Sequence, residues 1–338
     1  MIVTAAIIMI LGSTATDNLG GGAIAGNRYR VIISSDIGGS DEDDIQSMIH
    51  FLLYSDLFDV EGLISSPPFK GRKIDILNVI DEYEKDYPNL KTYSDKYPTP
   101  DYLRSITKQG EMDLAPEKGY RSATEGSNWI IKCAKKDDPR PLYVLVWGSI
   151  TDVAQALHDD PSIKKKIRVN FIASWNEKSD PNSFKYIDKN HPDTWLIYNN
   201  TTFRGWYIGG NQSGDLGNKS FVDNHIKGHG ALGDYYASLG YDSIKMGDTP
   251  TVSYLLRGTP EDPTKDSWGG RFVRVEDRPN WWKDDPDPAL SEGDKLGAKT
   301  VNQWREDYLR DFQKRMDRCV MPQGEKKGRK RENEKVGK

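Results

Sequence analysis

The chain contains few cysteines, no long apolar run and no excess of basic residues. It contains only two cysteines, Cys133 and Cys319, among 338 residues, which excludes a disulfide-dense scaffold and a multi-cysteine zinc or iron–sulfur site. No apolar run approaches the roughly 20 residues that a membrane-spanning helix requires, so we expect no membrane partner. The formal net charge is −4, and the lack of a basic excess argues against a nucleic-acid partner.

Aromatic residues, in contrast, are plentiful. They make up 10% of the chain and include nine Trp and seventeen Tyr, which argues against disorder even though 29% of the residues are charged. Aromatic rings stack on the faces of sugars, and polar side chains bond the sugar hydroxyls. The composition is therefore typical of proteins that hold carbohydrates.

The two ends of the chain differ in composition from its middle. Residues 2–11 form an apolar run of signal-peptide length, although no Lys or Arg precedes Arg28. We interpret residues 1–26 as a degraded or mis-started secretion signal, with a disordered extension as the alternative. A secreted or periplasmic protein is expected, and the cytoplasm stays open. Residues 323–338 are predicted to form a disordered basic tail, which leaves residues 27–322 as the folded domain.

The beginning of this domain alternates between two hydrophobic periodicities. Residues 29–35 and 58–66 predict buried strands, and helical spacing of apolar residues predicts helices from Asp43 and over 72–86. Further strands are predicted at 142–147, 168–174 and 194–198, and further helices at 127–135, 151–158, 249–256 and 302–316. This order is typical of α/β proteins. We expect a mostly parallel central sheet with helices on both faces.

One long segment shows no periodicity. Residues 257–298 are rich in Pro, Gly, Asp and Trp, and they are predicted to form a loop that contributes to a site. Arg271 is a candidate for contact with a sugar hydroxyl or carboxylate. Several tryptophans in or near segments that follow strands could form a sugar-stacking wall, with ordinary packing as the alternative for each: Trp175, Trp206, Trp268, Trp281 and Trp282.

The strongest chemical signal follows the first strand. Five carboxylates occur within nine residues, namely Asp36, Asp41, Glu42, Asp43 and Asp44. Open α/β sheets bind their ligands at the carboxyl ends of strands, and crowded carboxylates offer the hard oxygens that Ca²⁺ prefers. The alternative to a metal site is an acidic first helical turn that the helix dipole stabilises. This alternative explains Glu42 better than Asp36, because Asp36 lies directly at the end of an apolar strand.

These residues carry a resemblance to a known family. The segment Asp36-Ile37-Gly38-Gly39 with Asp43-Asp44 is similar to the fingerprint of inosine/uridine-preferring nucleoside hydrolases. The chain more closely resembles the nucleoside-hydrolase-like domains of cellulose-binding proteins over about residues 29–320. Its matching motifs include Pro141 to Gly148, Gly228-His229-Gly230, Gly247-Asp248-Thr249-Pro250 and Trp268-Gly269-Gly270-Arg271-Phe272.

The resemblance implies a single Ca²⁺ at the bottom of a sugar pocket. It assigns Asp36 as a metal ligand and as the base that deprotonates a water. Asp44, Asp248 and the main-chain carbonyl of Trp147 are the other implied ligands. Asp43 and Asn176 are implied to bind the sugar.

Two departures from the nucleoside hydrolase pattern affect these roles. The spacing from Asp36 to Asp44 is longer, so Asp41 is an alternative to Asp43 or Asp44 at the metal. The histidine that precedes the late aspartate in true nucleoside hydrolases is Gly247 here. His229, which lies between two glycines, is the candidate proton donor in its place, and a structural histidine in a Gly turn is the alternative.

The sequence therefore predicts a calcium-dependent glycosyl hydrolase. Its expected substrate is a nucleoside or a small sugar, which could derive from a polysaccharide, and the bond to be cleaved is an N- or O-glycosidic bond of furanosyl type. The alternative is a carbohydrate-binding protein that keeps the metal pocket without turnover. A phosphohydrolase with paired metals is disfavoured because the chain has only five His. Assembly into a homo-oligomer stays open.

Overall fold

The computed structural model describes residues 28–39, 42–68 and 71–320. Within these ranges the strands are β1 (Tyr29–Ser35), β2 (Phe58–Ser65), β3 (Thr107–Gln109), β4 (Leu142–Val146), β5 (Ile167–Ile172), β6 (Trp195–Asn199), β7 (Phe272–Arg274) and β8 (Trp281–Asp284). Asp41, the segment 1–26 and the tail 323–338 lie outside the described residues, and the interpretations made for them stay predictions.

The α-helices of the same ranges lie between and after these strands. They are α1 (Asp43–Leu53), α2 (Lys73–Tyr93), α3 (Pro100–Ile106), α4 (Glu125–Ala134), α5 (Thr151–Asp159), α6 (Ser174–Ser179), α7 (Pro181–Asn190), α8 (Asn218–His225), α9 (Gly230–Ser238), α10 (Thr249–Leu256), α11 (Lys299–Asn302) and α12 (Arg305–Met316). No helix in the described part of the chain has the length and apolar content needed to cross a membrane.

All eight strands join one sheet in the order β3-β2-β1-β4-β5-β6-β8-β7. Every neighbouring pair is parallel except β7 and β8, which pair in the antiparallel direction. Parallel strands need long crossover connections, and the helices between them supply these. The predicted fold class is confirmed.

Apolar side chains of the strands point to both faces of the sheet. Val31 and Ile33 of β1 belong to one buried cluster, whereas Ile32 between them belongs to another. Successive side chains of a strand alternate between faces, so a strand covered on both sides needs apolar residues at every position. The continuous apolar runs of the sequence therefore correspond to a sheet with helices on both faces.

The segment 257–298 differs from its prediction as an irregular loop. It contributes β7 and β8, and β8 extends the parallel sheet through the pairs Leu196 with Trp281 and Ile197 with Trp282. Strands of three and four residues are too short for a periodic signal to appear in the sequence. Burial of Trp281 and Trp282 against the two apolar clusters shows why these segments pair with the sheet edge.

Helix α2 also extends beyond its predicted end at residue 86 and includes Pro88. Proline usually ends a helix because it lacks an N–H donor and clashes with the preceding turn. Here Leu90 is fully buried in the core, and the Asn89 side chain donates to the Cys319 carbonyl over 2.7 Å. These tertiary contacts stabilise the final turns, and local sequence signals do not report them.

One buried guanidinium fastens α12 to the loops after β6. Arg305 is fully buried and donates to the Trp206 carbonyl at 2.8 Å, to the Leu216 carbonyl at 2.8 Å and to the Asn218 side chain at 2.6 Å. The planar guanidinium presents several donors in a fixed geometry that a lysine cannot reproduce. Arg305 therefore fixes the segment around residue 206 against α12.

We expect the Arg305→Lys variant to lower the free energy of unfolding by about 2–3 kcal/mol, because buried carbonyls would lose their donors. The matched control is Arg310→Lys on the same helix, where the partly exposed arginine pairs with Asp215 at 2.6 Å. This solvent-exposed pair should contribute much less to stability than the bonds of Arg305. Urea unfolding curves of both variants measure the difference, and equal losses of stability would contradict the role of Arg305.

Candidate metal centre and active site

Ligands of open parallel sheets bind at the carboxyl ends of the strands, where the strand order reverses. The reversal here lies between β1 and β4, because the chain adds β2 and β3 on one side and β4 to β6 on the other. Asp36 directly follows β1, and Trp147 directly follows β4. A pocket of about 310 Å³ opens at this point, lined by Asp36, Gly39, Asp43, Asp44, Trp147, Ile172, Ser174, Trp175, Asn176, Phe203, Arg204, Tyr207, Lys245 and Asp248.

Backbone strain is also concentrated at this pocket. Among the described residues, the non-glycine residues with positive φ are Ser174, at 32°, and Met246, at 39°. Ser174 lines the pocket, and Met246 precedes Gly247 and Asp248. Such conformations cost free energy and cluster at functional sites, where the surrounding structure enforces them. The Gln46 side chain contributes here by accepting hydrogen bonds from the backbone of Lys245 and Met246 at 3.0 and 3.1 Å.

Three carboxylates converge on the floor of the pocket. Asp43 and Asp44 begin α1, Asp248 precedes α10, and one oxygen from each lies within 4.8 Å of the others. Asp44 and Asp248 are buried. Like charges in a buried site are unfavourable unless a cation or a proton neutralises them, and carboxylate oxygens are preferred ligands of divalent cations. The donor set therefore fits a divalent cation.

Asp36 lies beside this triad. Burial raises the pKa of its carboxyl well above the usual range, and the charges of Asp44 and Asp43 raise it further. Sequence reasoning predicts Asp36, Asp44 and Asp248 as the metal carboxylates and Asp43 as a sugar ligand. The structure instead groups Asp43 with Asp44 and Asp248, and it places Asp36 in the same pocket as their neighbour.

Short hydrogen bonds orient two of these carboxylates. Asp44 accepts a hydrogen bond from the hydroxyl of Ser35, the last residue of β1, and that hydroxyl also accepts from the Ile37 backbone N–H at 3.1 Å. Asp43 accepts from the Gly247 backbone N–H at 3.2 Å. The end of β1 and the turn before α10 thus hold the start of α1 from opposite sides.

The Gly247 position has a steric reason to lack a side chain. A Cβ atom at this residue would lie 2.7 Å from the Asp43 carboxylate, which is closer than real Cβ atoms approach other heavy atoms. A histidine there would displace Asp43 from its hydrogen bond with the Gly247 N–H. The observed position of Asp43 therefore depends on the lack of a side chain at Gly247.

Trp147 and Asn176 line the same pocket. The Asn176 side chain donates to the Trp147 carbonyl at 2.5 Å and to the Ile172 carbonyl at 3.0 Å. The Trp147 indole donates to the Thr251 hydroxyl at 2.8 Å, so its ring is fixed in the core. Both residues line the pocket as expected. The ligand role of the Trp147 carbonyl and the sugar-binding role of Asn176 stay predictions.

The structure does not bring His229 to the pocket. This residue precedes α9, and its ring lies 3.3 Å from Asp317, which follows α12. No histidine is among the pocket-lining residues in the described part of the chain. The catalytic set that we propose below therefore omits His229, because a proton donor must lie within hydrogen-bond reach of the reacting atoms.

The predicted sugar-binding residues Trp206, Trp268 and Arg271 also lie outside the pocket lining. Trp206 is fully buried and stacks on Tyr308 with ring centroids 3.8 Å apart. Trp268 is buried, and Arg271 faces Asp266 at 3.4 Å. Packing places Trp206 and Trp268 in the core, and Arg271 forms an ion pair, so their contacts differ from the predicted ones.

Sequence reasoning missed one wall of the pocket. Phe203, Arg204 and Tyr207 form part of it and belong to the segment that follows β6. Their position after a strand end is the only sequence signal that could have identified them. Trp175, a candidate from the aromatic pattern, does lie at this pocket and is 61% exposed.

We expect the Asp44→Asn variant to bind Ca²⁺ about 10–100-fold more weakly than the parent protein, because the triad loses one negative charge. The matched control is Glu42→Gln, which removes a charge from the same acidic run but not from the triad. Isothermal titration calorimetry with calcium measures both. Equal calcium affinity in the parent and Asp44→Asn proteins would contradict the metal centre.

Comparison with known proteins agrees with the fold. A structure of a nucleoside hydrolase-related protein from Saccharophagus degradans, associated with carbohydrate metabolism, is 27% identical, with a TM-score of 0.67 over 87% of this chain and 72% of that chain. An inosine–uridine preferring nucleoside hydrolase from Bacillus anthracis is 15% identical, with a TM-score of 0.53 over 86% of this chain and 100% of that chain.

A more distant likeness is to the type III effector protein XopQ in complex with adenosine diphosphate ribose. That protein is 9% identical, with a TM-score of 0.53 over 88% of this chain and 94% of that chain, so it shows the fold alone. A search of curated proteins gave no significant match. A family model described as "Cellulose-binding Sde182, nucleoside hydrolase-like domain" matches residues 30–272, well over half of the chain. The protein therefore belongs to the nucleoside hydrolase-like domain family of cellulose-binding Sde182.

Proposed function

We propose that this protein is a calcium-dependent glycosyl hydrolase that cleaves an N- or O-glycosidic bond, of furanosyl type, in a small substrate. The observation that carries the proposal is a fourth carboxylate, Asp36, beside the convergent triad in the strand-end pocket. A protein that only binds a sugar through a metal has no need of a base next to that metal. A metal site with a base beside it therefore favours hydrolysis over simple binding.

The residues of the floor divide into two roles in this proposal. Oxygens of Asp43, Asp44 and Asp248 would hold the cation, with the Trp147 carbonyl as a further oxygen of the same pocket. A bound Ca²⁺ would lower the pKa of a coordinated water and orient two sugar hydroxyls. Asp36 would then act as the general base that takes the proton from the attacking water.

Bond cleavage at the anomeric carbon would follow from the same charges. The sugar acquires an oxocarbenium-like positive charge in the transition state, and carboxylates fixed in a buried site stabilise such a charge. Water adds to the anomeric carbon, its proton goes to Asp36, and the leaving group departs with the bonding electron pair. Asn176 on the floor and Trp175 at the rim would position the sugar ring.

The size of the pocket supports a small substrate. Its volume of about 310 Å³ lies at the lower end of ordinary ligand pockets, which span about 300–1,000 Å³. One sugar unit with its leaving group fits this space better than a stretch of polysaccharide. A secreted or periplasmic location, proposed from residues 2–11, is compatible with a substrate released from polysaccharide.

The second candidate function is carbohydrate binding without turnover. Two observations favour it: the family description names cellulose binding, and the pocket has no histidine to protonate a leaving group among the described residues. The exposed ring of Trp175 at the rim would serve a binding protein equally well. The first experiment below separates the two functions.

We expect Asp36→Asn to lower hydrolysis by about 10²–10⁴-fold, because amide nitrogen and oxygen cannot replace a carboxylate base. Sugar affinity at saturating calcium should change much less, since the triad keeps its three carboxylates. Hydrolysis rates, calcium content and sugar binding are measured on both proteins, with Glu42→Gln as the control. Unchanged turnover in Asp36→Asn would remove Asp36 from the mechanism. A parent protein that binds sugars but turns over no glycoside would establish the binding function.

We also expect inosine and uridine to be cleaved more slowly than aryl glycosides of the same sugar. A purine or pyrimidine base leaves poorly without a proton donor, and Asp43 occupies the space that a histidine at position 247 would need. Aryl leaving groups depart without protonation. Initial rates with each substrate at saturating calcium measure the ratio, and equal rates would show that the missing histidine does not limit the reaction.

A further inference from the structure

The wall that the segment after β6 forms contains an arginine with spare hydrogen-bonding capacity. Arg204 is half-buried and donates to the Tyr207 hydroxyl at 2.9 Å and to the Ser174 hydroxyl at 3.1 Å. In the described part of the chain, its five N–H donors make only these two bonds, and no carboxylate lies within 4 Å of it. Three donors therefore remain for a ligand.

Other buried or half-buried arginines of this protein have a carboxylate partner or more hydrogen bonds than Arg204. Arg30 forms a two-pronged pair with Glu61 at 2.8 and 3.0 Å, and Arg315 pairs with Asp56 at 2.6 Å. Arg305 has no carboxylate partner among the described residues, but it makes four bonds to neutral oxygens. Of these four arginines, Arg204 is the one that lines the pocket, and three of its five N–H donors make no hydrogen bond within the described residues.

The contacts of Arg204 fix the guanidinium in place without neutralising it. The group lies 4.9 Å from the centroid of the Phe203 ring, and its two hydroxyl acceptors carry no charge. A half-buried cation held only by neutral groups keeps a strong field in the pocket. Burial raises the pKa of Tyr207, Arg204 lowers it, Asp43 raises it and Lys245 lowers it. Arg204 and Lys245 therefore bring positive charge to the same pocket that holds the carboxylates.

We propose that the substrate of this pocket carries an oxyanion, such as a carboxylate, phosphate or sulfate on its sugar, and that Arg204 binds it. The inference rests on the proposed function, in that the pocket holds a sugar. Guanidinium groups match oxyanions because parallel N–H donors meet two oxygens at once. The carboxylates of the floor would repel the oxyanion, and Arg204 would attract it. The two effects together would determine the orientation of the bound sugar.

The test measures binding rather than turnover. Calcium-loaded protein is titrated with matched pairs of sugars: glucose and glucuronate, galactose and galacturonate, ribose and ribose 5-phosphate, galactose and galactose 6-sulfate. We expect at least one acidic sugar to bind about 10–100-fold more tightly than its neutral partner, as charged hydrogen bonds usually provide. The pair with the largest ratio identifies the oxyanion. Equal affinity within every pair would overturn the inference.

Variants then assign the preference to Arg204. The acidic-to-neutral ratio should fall to about one in Arg204→Gln, with neutral-sugar affinity nearly unchanged, and part of the ratio should return in Arg204→Lys because the charge returns. The control is Arg274→Gln, an exposed arginine of β7 outside the pocket, which should keep the parent ratio. A ratio that survives in Arg204→Gln would place the oxyanion on the metal and overturn the role of Arg204.

The binding test of the oxyanion site can succeed or fail separately from the test of hydrolysis. Hydrolysis of neutral glycosides without any acidic preference would leave the hydrolase proposal intact and defeat the oxyanion site. An acidic preference that depends on Arg204, in a protein without turnover, would support the oxyanion site and defeat the hydrolase proposal.

Discussion

Electrostatic repulsion among four carboxylates is the constraint on which the candidate site depends. Asp36, Asp43, Asp44 and Asp248 meet where the strand order reverses, and burial, together with the charges of Asp44 and Asp43, raises the pKa of Asp36. Rigid elements hold them together: the end of β1, the first turn of α1 and the start of α10. Helix N-termini favour negative charge only in part, so a divalent cation is the natural counter-charge for this set.

The two sides of the pocket complement each other in charge. The floor is acidic and suits a cation, whereas the wall after β6 presents Arg204 and Lys245 beside aromatic rings. Arg305 ties that wall to α12 through the Trp206 carbonyl, so a helix far along the chain sets the position of the basic groups. This arrangement would hold a sugar between a metal-bearing floor and an anion-binding wall.

A site residue could be predicted from the sequence when it lies close to the end of a strand. Asp36, Asp44 and Trp147 were predictable because they follow or nearly follow strands with strong apolar signals. Asp43 was predicted in the pocket but as a sugar ligand, because sequence spacing does not show which carboxylate oxygens converge. His229, Trp206, Trp268 and Arg271 fit composition and motif arguments, yet their contacts with Asp317, Tyr308 and other residues keep them outside the pocket.

The sequence by itself determined the α/β class, the family and the acidic run at the end of β1, because periodicity and motifs are local properties of the chain. Only the tertiary structure decided that β7 and β8 join the sheet, that Asp43 takes the space beside Gly247 and that Arg204 lines the pocket of the carboxylates. Leu196 and Trp281 are 85 positions apart in the chain, and Asp43 and Gly247 are 204 positions apart. Long-range packing sets such distances, and no local propensity encodes them.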